Sequence, residues 1–228
     1  MNRQSSIKVL VRGPFGHAVA QHLEALAWPG RCDVQAARPR FSSGLRSFLA
    51  GGTLGILATH RDVRVDLDAF AAAAELAGRP WVPVALSPGY VRVGPLTIPG
   101  AAPCPACYSA RRAQHGWLDP GWEQAVEQND DLGVQGFPPH LAAMTAGLAL
   151  AIASPAADPG PARPAGALFL IDMATDAVSS WTVIPADGCP TCEPAVQRDG
   201  RTAAGVERLR AVCGQIRTAP QSQEMKAS

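Results

Sequence analysis

Residues 7–20 read IKVLVRGPFGHAVA, and this stretch decides the fold class. The run Ile7–Val11 is short and rich in β-branched side chains, and Gly13 follows it. Residues 17–27 then carry apolar side chains at the spacing of one helix face, at Val19, Ala20, Leu23 and Leu26. A strand, a glycine turn and a helix in this order open a βα unit. The stretch therefore predicts an α/β protein.

Strands and helices continue to alternate through the first hundred residues. The further strands that we predict are Cys32–Ala36, Thr53–Ala58 and Trp81–Leu86, and the helices are Phe41–Leu49 and Leu67–Ala77. Pro83 predicts that its strand is irregular or lies at a sheet edge, because proline has no N–H to donate to a ladder. For residues 1–99 the alternation predicts a Rossmann-like core, a mainly parallel sheet with helices on both faces.

Composition excludes several classes of protein. The chain has 228 residues, of which 47% are apolar and 17% are charged, a balance that is typical of globular proteins. Twenty basic and nineteen acidic side chains leave a net charge of +1, so we expect neither nucleic acid nor an anionic membrane as a partner.

The N-terminus has no secretory pattern, and the apolar run Leu141–Ala153 is shorter than the roughly 20 residues of a membrane span. We therefore expect a cytoplasmic protein.

Four of the six cysteines lie in two Cys-Pro-x-Cys motifs, Cys104/Cys107 and Cys189/Cys192. In a reducing cytosol such pairs are more often metal-binding or catalytic than disulfide-bonded. Four thiolates form a closed tetrahedral zinc site, and each motif supplies two of them from one tight turn. We favour structural Zn²⁺ bound by all four cysteines over two separate reduced pairs, a redox-active pair or an iron–sulfur cluster.

The sequence pattern changes after residue 89. It predicts hairpins at 90–98 and 167–184, helices at 107–116, 138–154 and 202–216, and a Pro/Ala/Gly linker at 154–166. Residues 100–217 are therefore predicted to be the remainder of the same domain, with a zinc-tied hairpin and helices, and residues 218–228 a disordered tail. The helix at 138–154 is almost wholly apolar, so either the chain's own core or a second subunit must cover it.

The turn at residues 13–16 lies where a dinucleotide- or ATP-binding fold carries G-x-G-x-x-G. Only Gly13 and Gly16 are present, Pro14 has no amide to donate, and Phe15 is bulky where an anion would approach.

The acidic ribose ligand of such a fold is expected about 20 residues further on. Residues 33–40 instead read DVQAARPR, with Arg38 and Arg40 in that region. Two interpretations stay open, a bound nucleotide and a turn kept for folding without its ligand, and we favour the second.

Five segments carry a resemblance to a known family: VLVRGPFGHAVAQHL at 9–23, LGILATHRDVR at 54–64, AGRPWVPVAL at 77–86, VGPLTIPGAAPCPACYSARR at 93–112, and CPTC at 189–192. With these segments, residues 7–193 resemble the ThiF-like, ubiquitin-activating-enzyme-like superfamily. The chain is most similar to the ThiF-like proteins of azoline-forming, YcaO-type cyclodehydratase clusters, which act on ribosomal peptides. The two cysteine motifs, the first with its preceding GP and PG, are the specific part of this resemblance.

The chain departs from the adenylating members of that family at the metal site. Those members carry an Asp-Asn pair after the third strand, and the aspartate binds the magnesium of ATP. The matching positions here look like His60-Arg61. No catalytic cysteine is evident beyond the zinc set, and because the first strand begins near residue 7 we expect no winged-helix module for leader peptides. What remains of a nucleotide site is then Gly13, Gly16, Arg61, Asp62 and Arg64.

These residues lead to the function that we expect. The resemblance implies a catalytically silent scaffold with no catalytic residue and no working ATP or Mg²⁺, which engages a precursor peptide, a YcaO-type or other modifying enzyme, or both. It also implies a homodimer. The alternative is an ATP-dependent adenylating enzyme, in which Arg12, Arg61 or Arg64 would bind phosphates and Asp62 would bind magnesium. A third possibility is a zinc-stabilised oxidoreductase, which the altered glycine turn disfavours.

Overall fold

One mixed sheet organises the part of the chain that the structure describes. This computed structural model describes residues 5–26, 30–36, 44–116, 120–129, 132–134, 136–153 and 165–192. The strands within these ranges are β1 (Ser5–Arg12), β2 (Gly30–Ala36), β3 (Leu54–Thr59), β4 (Trp81–Ser87), β5 (Tyr90–Val93), β6 (Ala167–Asp172) and β7 (Val178–Thr182). The helices are α1 (Gly13–Ala25), α2 (Leu45–Ala50), α3 (Arg64–Ala77), α4 (Pro105–Gln114), α5 (Pro120–Gln128) and α6 (Pro139–Ala153).

The strand order is β2-β1-β3-β4-β5-β6-β7, and the sheet changes character in the middle. The pairs from β2 to β4 are parallel, as expected for strands joined through helices. The pairs from β4 to β7 are antiparallel. The prediction of an α/β fold is confirmed, and within residues 1–99 three of the four strand pairings are parallel, as predicted for that part of the chain. The later strands β6 and β7 extend the same sheet through antiparallel pairings.

The expectation that Pro83 marks an edge or irregular strand is wrong. β4 lies between β3 and β5, and Pro83 pairs with Leu57 of β3. The carbonyl of Pro83 accepts a hydrogen bond from the amide of Gly94 at 2.7 Å, so the missing N–H also points toward the β5 side. The β4–β5 pairing ends one residue away, at Val84 and Val93, and the proline therefore costs no rung of the ladder.

The predicted hairpin at 90–98 is also corrected. Tyr90–Val93 does form a strand, but it pairs with the preceding strand β4 and with β6. Leu96–Ile98 forms no strand, and Thr97 makes only an isolated bridge to Trp81. The hairpin at 167–184 is confirmed as β6 and β7.

Helices cover both faces of the sheet, as predicted. One cluster of buried side chains joins α1 and α6 to one face, and a second joins α2 and α3 to the other. Alternating residues of β1 feed the two clusters, with Val9 and Val11 on one side and Leu10 on the other. Burial on both faces explains why the central strands read as nearly continuous apolar runs.

The apolar helix α6 belongs to the chain's own core. Its buried positions include Leu141, Ala146 and Ile152, and α6 packs on α1. Small residues such as Ala143 and Gly147 occupy its exposed side. The helix therefore needs no second subunit to cover it. None of the helices in the described ranges has the length and apolarity that crossing a bilayer requires.

Several predictions differ from the structure at element boundaries or fall outside it. α1 begins at Gly13 rather than at residue 17, and α5 was not predicted at all. The helix expected at 202–216 and the tail at 218–228 lie outside the described residues, as do Arg38, Arg40 and most of the linker at 154–166.

Gly16 allows α1 to lie directly against β3, which makes it a test of this fold. A Cβ atom at Gly16 would lie 2.3 Å from the carbonyl oxygen of Ala58, so Gly16→Ala must push the helix away. We expect a loss of about 1–3 kcal/mol in the free energy of unfolding, and a lower Tm.

The matched control is Gly147→Ala in α6, where no atom lies within 4 Å of the added Cβ. This change removes an exposed glycine from a helix and is expected to raise stability by up to about 1 kcal/mol. Equal effects of the two substitutions on thermal unfolding would contradict the packing described here.

Candidate functional site

The two cysteine motifs meet in space. The Sγ–Sγ distances are 3.8 Å between Cys104 and Cys107, 3.5 Å between Cys104 and Cys189, and 3.2 Å between Cys107 and Cys192. All four sulfurs lie within 4.8 Å of one another. A disulfide would place two sulfurs at about 2.05 Å, whereas the ligands of a tetrahedral ion with bonds of about 2.3 Å lie about 3.8 Å apart. The cluster therefore has the dimensions of a site for a single metal ion.

The surroundings of the cluster are those of a closed structural site. The four cysteines are buried, and Leu168 of β6 and Val183 pack beside them. Cys104 precedes the first turn of α4, and its carbonyl accepts the amide of Cys107 at 3.0 Å. A metal ion here would tie the start of α4 to the chain that follows β7. Because the sulfurs are buried and no described His or carboxylate joins them, the arrangement fits a metal that prefers thiolates.

Hydrogen bonding already distinguishes the thiols. Burial raises the pKa of the Cys104 thiol to about 11. Burial opposes ionisation of the Cys189 thiol, but hydrogen bonds from the backbone amides of Cys192 and Thr191 and from the thiols of Cys104 and Cys107 together lower its pKa to about 7. Amides that stabilise a thiolate in this way are a usual outer shell of thiolate metal sites.

The glycine turn at the end of β1 is packed by the chain itself. Gly13 has a φ of +72°, and a Cβ atom there would lie 2.1 Å from Nδ1 of His60. His60 is buried over the turn, and its Nδ1 lies 3.2 Å from the carbonyl oxygen of Arg12. Burial lowers the pKa of His60, which favours the neutral ring. The positive φ and the contact with His60 are therefore enough to explain why this position is glycine.

Two further side chains close the same region. The ring of Phe15 is fully buried and packs edge-to-face on Phe137, with the centroids 5.0 Å apart. Nη1 of Arg61 donates to backbone carbonyls at the end of α5 and beyond it, to Val126 at 3.0 Å and Asn129 at 2.7 Å. A cation at a helix C-terminus offsets the partial negative charge of the last carbonyls. Arg61 therefore holds α5 against the carboxyl end of β3.

Asp62 lies in a buried network of charges. Its carboxylate accepts from Nη2 of Arg92 at 2.7 Å and from Nη1 of Arg112 at 3.3 Å. Arg92 is 0% exposed, and the centroid of the Tyr108 ring lies 5.0 Å from the guanidinium carbon of Arg92 and 5.6 Å from that of Arg112. Glu123 of α5 also pairs with Arg112, at 3.4 Å. We call this network the Asp62 brace, because it joins the β3–α3 loop to β5, α4 and α5.

The two other arginines that were considered as phosphate ligands form ion pairs with α3. Arg64 is 64% exposed and pairs only loosely with Asp68, at 3.5 Å along α3. Arg12 pairs with Asp66 in the first turn of α3. The structure thus brings Gly13, Arg61 and Asp62 to the carboxyl ends of β1 and β3 but leaves Arg64 at the surface.

The sequence interpretation missed Arg92, Arg112 and Tyr108. A signal for Arg92 existed, because a charged residue inside the apolar strand Tyr90–Val93 needs a buried partner. Asp62, the carboxylate that pairs with it, is 30 residues away in the sequence, and only the fold shows that pairing.

A cavity of about 370 Å³ lies beside the brace. Arg61, Asp62, Ser87, Tyr90 and Trp122 are among the residues that line it. It sits at the carboxyl ends of β3 and β4, the position where sheets of this type commonly bind ligands.

Removing the carboxylate of Asp62 tests the brace. Asp62→Ala leaves Arg92 buried without its carboxylate, and we expect a loss of about 3–5 kcal/mol in the free energy of unfolding. Asp68→Ala is the matched control, because it removes a carboxylate from an exposed pair worth less than about 1 kcal/mol. Both values follow from urea denaturation, and comparable losses in the two variants would show that the brace contributes little.

Comparison with known proteins finds structures of similar fold. No protein-family model matches the chain, and no curated protein matches it. Solved structures do: a heterocyclase in complex with substrate and cofactor (16% identity, TM-score 0.54, 83% of this chain and 25% of that one) and the heterocyclase TruD (17%, 0.54, 83% and 27%). MccB of E. coli with ATP also matches (10%, TM-score 0.56, 84% of this chain and 68% of that one).

The chain spans about a quarter of the length of the two heterocyclases. At these identities the similarity is one of fold alone. It agrees with the fold that the sequence resemblance implied, and no assignment of family or role follows from it.

Proposed function

We propose that this chain is a catalytically silent ThiF-like scaffold in the maturation of a ribosomally made peptide. It would engage the precursor peptide, a YcaO-type or other modifying enzyme, or both, and would carry structural Zn²⁺. The neighbours in fold support the setting, because they include a heterocyclase with its substrate and MccB with the peptide derivative MccA-N7isoASN.

One observation carries the proposal of silence: side chains of the chain itself pack the glycine turn and engage the charged residues beside it. Adenylation needs backbone amides around the phosphates and a carboxylate that positions magnesium. Here His60 covers Gly13, and Phe15 is packed into the core. Asp62, the nearest carboxylate, is engaged by two arginines. Arg61 donates to backbone carbonyls around the end of α5. Both charged side chains that could have bound phosphate or magnesium therefore already have partners within the chain.

Zinc is the metal that the cysteine cluster fits best. Sulfurs that all lie within 4.8 Å of one another surround one ion and leave no room for a cluster of several irons. A closed, buried set of four thiolates is typical of structural Zn²⁺. When bound, the ion supplies no chemistry beyond holding the chain together. The homodimer implied by the resemblance stays a prediction, and the burial of α6 within its own chain removes one argument for it.

Catalytic silence is tested by measuring the effect of Mg-ATP on the Tm of this protein and of MccB, for which a complex with ATP is known. We expect Mg-ATP to raise the Tm of this protein by less than about 1 °C, because a ligand that does not bind the native state cannot stabilise it. We also expect no pyrophosphate exchange with the precursor peptide, while omission of the protein from a reconstituted pathway stops or slows maturation.

Pyrophosphate exchange above background that is lost in Arg64→Ala would instead support the adenylating enzyme. Arg64 suits this control, because it is exposed and its loss should leave the fold intact. Maturation at full rate without the protein would contradict the scaffold role.

Metal analysis tests the zinc site. The purified protein should contain about one zinc per chain, and Cys107→Ser should lose the metal and unfold at a lower temperature, because binding energy at a structural site is folding energy. Cys32→Ser is the control, because Cys32 lies on β2 outside the cluster. Zinc content can be measured by plasma mass spectrometry. A well-folded, metal-free wild-type protein would refute the assignment.

A further inference from the structure

A trough lies between α4 and the β6–β7 hairpin, with a largely apolar wall on the hairpin side and Tyr108, Arg111 and Arg112 on the α4 side. Two adjoining cavities, of about 510 and 480 Å³, share Tyr108 and Leu168. Ser179 lines the first cavity, and Trp181 and Ile184 line the second. We call this continuous surface the hairpin trough.

The hairpin trough is uncovered in the part of the chain that the structure describes. Trp181 is 54% exposed and Ile184 is 60% exposed. β7 is an edge strand whose five residues are all exposed, and residues 177–186, AVSSWTVIPA, contain no charge. Natural edge strands are normally blunted by charges or covered by another element. An exposed apolar surface of this kind is typical of an interaction site.

The chain itself has a segment that suits this surface. Residues 202–216, TAAGVERLRAVCGQI, place Val206, Leu209, Val212, Cys213 and Ile216 within one stripe when drawn as a helix. Glu207, Ala211 and Gln215 fall on the opposite side. An element covering the trough needs one apolar face and one face that water can solvate, and this segment offers both.

The point where the described chain ends favours the same segment. The last described residue is Cys192, which lies in one buried cluster with Tyr108 and Leu168 of the trough. The nine residues 193–201 can span about 30 Å when extended, which is ample. A 15-residue helix is about 22 Å long, and the eight residues 177–184 along the trough extend for about 27 Å.

We propose that residues 202–216 lie along the hairpin trough and cover Trp181 and Ile184 with their apolar stripe. The chain then blunts its own sheet edge. A partner that uses this face must displace the segment. Its apparent association constant is then the intrinsic constant multiplied by the fraction of time for which the trough is open. This inference is independent of the proposed function, since it concerns only two parts of one chain.

Neighbouring serines of β7 provide the test. Ser179 pairs with Leu170 and shares the face of the trough, whereas Ser180 pairs with Phe169 and faces the opposite side. In full-length Ser179→Cys and Ser180→Cys, maleimide labelling at each site is followed by peptide mass spectrometry. We expect Ser179→Cys to react roughly tenfold or more slowly than Ser180→Cys, because the segment must open first.

Substitutions in the segment complete the test. Val206→Asp with Leu209→Asp should bring the two labelling rates within about twofold, because the charged stripe no longer docks. Ala211→Asp, on the opposite side, should leave the protection unchanged. Metal content and Tm of each variant show that the fold is intact.

Equal labelling of Ser179→Cys and Ser180→Cys in the otherwise unaltered chain would overturn the proposal. Protection that persists with Val206→Asp and Leu209→Asp would overturn it as well, and if that protection falls on dilution, the occupant is a second copy of the chain.

Discussion

The arrangement of the chain depends on one pair of interactions, in which the carboxylate of Asp62 binds the guanidinium groups of Arg92 and Arg112. Arg92 on β5 is fully buried, and a buried charge costs several kcal/mol unless it is paired and hydrogen-bonded. Asp62 comes from the parallel half of the sheet, and Arg112 comes from the helix that begins at the first cysteine motif. A single anion therefore links the parallel strands, the antiparallel strands and α4.

α4 is consequently held at both ends. Cys104, in the thiolate cluster, directly precedes its first turn, and its last turn contains Arg112 of the brace. Tyr108, between them, packs on the arginines, and burial raises the pKa of its hydroxyl to about 12, so it stays neutral. One wall of the hairpin trough is therefore a helix fixed by a metal-type site and by an ion pair. The opposite wall, formed by β7, is attached through β6 alone among the described strands.

The local elements were largely predictable, because period and glycine signals act over a few residues. The opening βα unit, the helix at α6 and the β6–β7 hairpin follow from such patterns. The pairing of β5 with β4 and β6 could not be predicted from such patterns. Tyr90–Val93 can pair with either neighbour in sequence, and the choice depends on the whole sheet. The cysteine cluster was predictable because its spacing reflects coordination geometry. The brace was not, because it joins residues up to 50 positions apart with no spacing rule.

The contact between His60 and Gly13 has a consequence for how such a chain can change. Replacing His60 by aspartate would clear the ring from the turn, but it would leave Arg61 among the carbonyls around the end of α5 and Phe15 against Phe137. Arg61 and Phe15 are each held by a partner of their own, so the single substitution would lose packing at position 60 without freeing the rest of the turn. A ligand site at this turn would therefore require several substitutions together.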